Sequence, residues 1–221
     1  PPPPPPFSLR LRHTRCSRLS RGLGYVYNRQ DQAARLTVSS NSMAPLLKKG
    51  DVIGLQQVDL SNIQRGQIVT FNDSGESQGL ITHRIAASWR DGQGNLQILT
   101  RGDQVLIFDQ PWKVEEIVGQ VVWRMRDGRK LRFDQGPGEW LCKQLGLIAE
   151  REYVQISGLP LDQLQFTPDG IAEANNQALL RRNGITAQLV SRASRSWRGL
   201  LASIVPIFAR QEILPAERKT K

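Results

Sequence analysis

Ser42, His83 and two later acids, Asp103 and Asp109, are the side chains whose types and order could do chemistry in this sequence. A serine hydroxyl attacks a carbonyl carbon when a neighbouring base takes its proton, and the base works best when a third group orients it. Histidine, with an ordinary pKa of about 6.5, can be neutral and accept that proton near neutral pH. A carboxylate beside it would fix the tautomer and stabilise the imidazolium. Serine, histidine and acid brought together would hydrolyse a peptide bond without a cofactor.

The stretches around these residues say how they could be positioned. Leu36 and Val38 belong to a strand pattern that ends before Ser40-Asn41-Ser42-Met43-Ala44-Pro45, and Gly50-Asp51 then marks a turn. Proline cannot continue a ladder, so Ser42 falls where a strand stops and the chain bends, at the edge of a sheet. Arg65-Gly66-Gln67-Ile68-Val69-Thr70-Phe71 is a turn into an apolar strand. Ile81-Thr82-His83-Arg84-Ile85 is a strand that carries the histidine, and Leu99-Thr100-Arg101-Gly102-Asp103 followed by Asp109-Gln110-Pro111 sets the acids after another. Gly50-Asp51 and Gly66 read as turn formers.

As an ordered set, these boxes resemble the signal-peptidase superfamily, which also holds the self-cleaving repressors of the SOS type. The resemblance spans Val38 to Val122. Bacterial enzymes and repressors of that superfamily place a lysine base in the box that here reads Thr82-His83-Arg84. The chain is therefore similar to the archaeal and endoplasmic-reticulum type, which uses serine, histidine and an acid. The resemblance implies Ser42 as nucleophile, His83 as base and Asp109 as the orienting acid, with Asp103 as structural support or alternative orienter. It also implies Ser40 and the Ser42 backbone N–H as oxyanion donors, a structural role for Arg84, and a mostly β catalytic fold. The signal peptidases that the chain resembles are usually membrane-anchored and act on polypeptide precursors.

The composition limits the alternatives. The formal charge is +10 over 221 residues, and it sits at the ends: six arginines and no acid in 1–30, nine bases against three acids in 171–221. Such ends suit anionic lipid or nucleic acid, and nucleic acid is the weaker reading. Cys16 and Cys142 do not make a disulfide framework, and with His13 and His83 as the histidines no zinc-ligand spacing exists. No apolar run is long enough for a transmembrane helix.

The pattern divides the chain into three parts. Residues 1–33 form a basic arm: Pro1–Pro6 is a polyproline run, and the Arg- and Ser-rich stretch after it has the composition of an organelle transit peptide. Residues 34–135 read as an antiparallel, barrel-like or folded-sheet domain, with Asp91-Gly92-Gln93-Gly94 and Asp127-Gly128 as hairpin turns. Residues 136–221 read as a helical extension. Its helices run over Glu139–Glu152, from a Thr167 N-cap to about Arg182, and over Ala187–Phe208. In the last, Leu189, Trp197, Leu200, Leu201, Ile204 and Phe208 share one side, while Arg192, Arg195, Arg198 and Arg210 share the other. That helix packs on a neighbour, lies in a membrane surface or, as the weakest of the three readings, binds nucleic acid.

The expected fold is thus mainly β with a C-terminal helical extension, and the expected function is a serine endopeptidase of signal-peptidase type cleaving an extended precursor. A self-cleaving regulator with nucleic-acid-binding ends is disfavoured by the missing lysine. An inactive peptide-binding module is disfavoured by the intact Ser42, His83 and acids.

Overall fold

A computed structural model describes residues 26–27, 34–73, 79–161, 166–208 and 212–213. The basic arm expected over 1–33, apart from Val26–Tyr27, lies outside the described residues, as does Arg210.

The sheet is entirely antiparallel. Its strands are β1 (Val26–Tyr27), β2 (Ala34–Thr37), β3 (Val52–Gln56), β4 (Ile68–Asp73), β5 (Gly79–Arg90), β6 (Leu96–Arg101), β7 (Trp112–Lys113), β8 (Ile117–Arg126), β9 (Arg129–Arg132) and β10 (Glu212–Ile213). The spatial order is β1-β2-β3-β8-β4-β5-β6-β7, with β9 on β8 and β10 on β9. The expected barrel-like closure is not formed among the described residues. β1 and β7 stand at opposite ends of an open path, each paired on one side only. Register shifts at Gly54/Leu55, Thr70/Phe71 and Ile85/Ala87 interrupt the β3–β8, β4–β8 and β5–β6 ladders, irregularities of the kind that bend a sheet.

The turns follow the residues expected to make them. Asp127 and Gly128 both have positive φ, the two-residue geometry that suits the twist of the β8–β9 hairpin. Gly50 and Gly66 have φ of 93° and 91°, conformations that a side chain makes strained.

Three helices follow: α1 (Gly136–Ser157), α2 (Pro168–Arg181) and α3 (Ile185–Phe208). The fold is therefore mixed rather than mainly β, since helices of 22, 14 and 24 residues outweigh the short strands. α1 begins earlier than its apolar pattern indicates, because Pro137 is compatible with a first helical turn, and it ends at Gly158 in the left-handed conformation. Thr167 caps α2 by accepting from the Gly170 N–H.

The helices share the core of the sheet. Leu141 and Leu145 of α1 and Val205 of α3 pack with Leu36, Met43, Ile53 and Leu131. Leu141 and Leu145 are fully buried, so truncating either to alanine costs about 2–5 kcal/mol. A second cluster joins Leu99 and Phe108 to Tyr153 of α1 and Ile171, Ala174 and Ala178 of α2. It anchors the segment after β6, on which both candidate acids lie. Asn175 of α2 fixes that segment further, donating to the Phe108 carbonyl and accepting from the Phe108 N–H.

Candidate active site

Ser42 sits in a turn whose shape is set from below. Met43, Leu46 and Leu47 are buried, which pins the turn to the core. Asp51, also buried, accepts from the Lys48 N–H at 2.8 Å and takes both arms of the Arg126 guanidinium at 2.6 and 2.7 Å. Arg126 also donates to the Leu46 carbonyl. The Gly50-Asp51 turn thus does more than reverse the chain, because its acid ties the serine turn to β8. From the other side the Gln104 N–H donates to the Ser42 carbonyl at 2.8 Å, and its side-chain amide donates to the Ala44 carbonyl.

His83 lies on β5 with Nε2 3.3 Å from Ser42 Oγ and Nδ1 2.7 Å from Asp109 Oδ2. Asp109 is held by its own N–H, which donates to the Thr100 carbonyl, and by the Thr100 hydroxyl, which donates to Oδ2 at 2.5 Å. Trp112 Nε1–H donates to that same hydroxyl, so the Thr100 proton is directed at the carboxylate. Phe71 stacks on Trp112 with ring centroids 4.8 Å apart and keeps the indole in place. With Thr100 donating, Asp109 acts as acceptor, His83 carries its proton on Nδ1, and Nε2 is left to accept from Ser42. The resulting relay runs Trp112, Thr100, Asp109, His83, Ser42.

Asp103 is placed elsewhere. Both its oxygens are taken by Arg84, at 2.8 Å from Nε and 2.6 Å from Nη2, and the pair is almost fully buried. Adjacent strand residues point to opposite faces, so His83 and Arg84 serve opposite sides of β5. Arg84 also donates to the carbonyls of Gly66 and Cys142, joining the β4 turn to α1. Burial works against the Arg84 charge, but Asp103 more than reverses this, and the guanidinium is held above its ordinary pKa. Of the two acids offered by the sequence, Asp109 contacts the histidine and Asp103 braces the frame.

Ser40 Oγ lies 3.2 Å from Ser42 Oγ and 3.5 Å from the Ser42 N–H. Its hydroxyl is therefore beside the nucleophile candidate and its amide, where an oxyanion would form. Among the described residues no group of three His, Cys, Asp or Glu could hold a metal ion.

Three contributors escape the sequence reading. Thr100 and Trp112 orient the acid. Gly102 clears space for the base: a Cβ there would lie 3.0 Å from His83 Nε2 and 3.1 Å from the Ser42 carbonyl. Thr100 and Gly102 lie within the box that contains Asp103, so only their contacts were hidden.

A groove of about 490 Å³ runs up to Ser42 and His83. One wall is the chain from Leu36 to Ser40, the other is Gly79–His83, and Met43, Leu47 and Ile53 form an apolar floor. β5 pairs with β4 from Gly79 onward but with β6 only from Arg84, so among the described residues the second edge of 79–83 has no strand partner. Such an edge can accept an extended peptide as an added strand.

No protein-family model matches this chain, and a search of curated proteins finds no match either.

Proposed function

We propose that the protein is a serine endopeptidase of signal-peptidase type, closest to the serine–histidine–acid branch, which cleaves an extended precursor or leader peptide. The observation that carries this reading is the unbroken contact series from Asp109 through His83 to Ser42 at the end of a groove with an open strand edge. The peptide pairs with the Gly79–His83 edge, which presents its carbonyl carbon to Ser42. His83 Nε2 takes the Ser42 proton as Oγ attacks, and Asp109 stabilises the imidazolium. The Ser42 N–H and the Ser40 hydroxyl turn to the tetrahedral oxyanion, where one donor is worth about 3 kcal/mol. The imidazolium then protonates the leaving amine, and water drawn through the same base frees the acyl group from Ser42. The 3.3 Å serine–histidine contact is longer than a strong hydrogen bond, and such contacts tighten when substrate excludes water.

A panel of tagged extended peptides, read by mass spectrometry, tests the activity. Cleavage by the native chain that disappears in Ser42→Ala and in His83→Ala supports the reading. A His83→Ala chain cleaving at the native rate sinks it.

A further inference from the structure

α3 does not present its faces as its sequence pattern alone indicates. It buries Ala187, Arg198 and Val205 against the rest of the protein. The tryptophan side is left in solvent: Leu189 is 60%, Trp197 58% and Leu200 48% exposed, and Trp140 of α1, also 48% exposed, stands beside them. This apolar ridge has a groove along each flank. One, of about 620 Å³, lies between α1 and α3 and is lined by Trp140, Ile148, Leu189 and Trp197. The other, of about 450 Å³, is cationic and is lined by Arg182, Arg192, Arg195 and Arg198, with Glu152 as its acid. Glu152 is already shared by Arg101 and Arg198 at 2.8 and 2.9 Å, which leaves Arg182, Arg192 and Arg195 without an acidic partner among the described residues. Arg198 is buried, yet its Nε has no partner among the described residues.

We infer that α3 and the adjoining end of α1 dock on an anionic phospholipid surface, with the Trp140–Trp197 ridge in the acyl boundary and the arginine groove on headgroup phosphate. A membrane surface supplies an apolar layer and a row of anions side by side, which is how one helix of about 36 Å displays its ridge and its cationic flank. Tryptophan suits the boundary between them, and the basic ends of the chain add attraction to the same surface. No described helix is long and apolar enough to cross a membrane, so this is attachment in the plane of the surface. Arg198 also donates to the Asp103 carbonyl at 2.5 Å, beside Gln104, which holds the Ser42 turn. Docking on this face therefore sets the groove at a defined height above the lipid.

The test is co-sedimentation of the full chain with phosphatidylcholine vesicles, with and without phosphatidylglycerol, together with quenching of tryptophan fluorescence by brominated acyl chains. The native chain should bind the anionic vesicles and be quenched. Arg192→Gln/Arg195→Gln should weaken binding about thirtyfold, taking about 1 kcal/mol per arginine. Leu189→Ser/Trp197→Ser should abolish most of the quenching; all four positions are exposed, so the fold is spared. Vesicle binding that neither pair alters would assign the contact to the basic arm and overturn the proposal. So would binding without quenching, equal competition by polyglutamate or an oligonucleotide, or a dimer formed through the ridge. Ser42→Ala should bind vesicles as the native chain does, which separates this proposal from the peptidase reading.

Discussion

Replacing Asp109 with asparagine should remove a charge without turning the histidine round. Oδ2 of Asp109 receives both the Thr100 hydroxyl and His83 Nδ1. The amide oxygen of an asparagine would settle where those two donors converge, since its NH2 group could not face either. His83 therefore keeps its proton on Nδ1, and Nε2 stays free for Ser42. What disappears is attraction between carboxylate and imidazolium in the transition state. At about 4 Å between charge centres and an effective dielectric of about 20, that is roughly 4 kcal/mol. The corresponding fall in kcat/KM is about a thousandfold. Asp109→Ala should lose more, because the ring then has no orienting acceptor. The contrast is Asp103→Asn, which leaves the buried Arg84 guanidinium half-paired and should cost about 3–5 kcal/mol of stability. At about 2–4 °C per kcal/mol, melting would fall by roughly 6–20 °C, while the folded fraction keeps its kcat/KM within a few-fold. Kinetics on a cleaved peptide and thermal melts by circular dichroism measure both quantities. Full activity in Asp109→Asn, or lost activity at an unchanged melting temperature in Asp103→Asn, would refute the assignment of the two acids.

Other perturbations follow from single contacts. Gly102→Ala should press on the His83 ring and lower kcat/KM by about a hundredfold, with kcat taking most of the loss, since small misplacements of a reacting group are costly. Tyr153 is fully buried and its hydroxyl has no partner among the described residues, so Tyr153→Phe should stabilise the fold by about 1 kcal/mol in thermal melts. Burial pushes the Tyr153 phenol up to about 12 against the pull of Arg101, so between about pH 10 and 12 the folded state holds a proton that the unfolded state has lost. Stability should fall across that window as pH rises, and less steeply in Tyr153→Phe. Burial also pushes the Cys142 thiol up, so in a Cys16→Ser background alkylation of Cys142 should wait on global unfolding, as intact-mass time courses would show.

Most of the strands were legible because their limits are chemical. Gly and Asp mark the hairpins, and β-branched runs fill the spans between them. The ends of the sheet were not, because β1, β7 and β10 are two-residue strands with no periodicity to read. Closure was misjudged for a related reason. Whether an antiparallel sheet closes depends on which strands share β8; β3, β4 and β9 all do, and the first two pair through register shifts that no turn residue announces.

At the candidate site, residue types were readable and the resemblance implied Asp109 as the orienting acid, but the contacts that separate the two acids were not. Asp103 and Asp109 differ little as local sequence. What separates them is that Arg84 faces away from His83 on the same strand and captures the nearer acid, which leaves the farther one to Thr100 and the histidine. The same limit explains α3. A helical wheel assigns Arg198 to a solvated face by its charge, and only a partner distant in sequence can reverse that. Glu152 on α1 and the Asp103 carbonyl are 46 and 95 residues away, and together they make burial of the guanidinium tolerable. With Arg198 turned inward, the tryptophan side has to turn outward. The buried Arg198–Glu152 pair and the apolar ridge left in solvent are therefore two sides of one choice of which charge to pair.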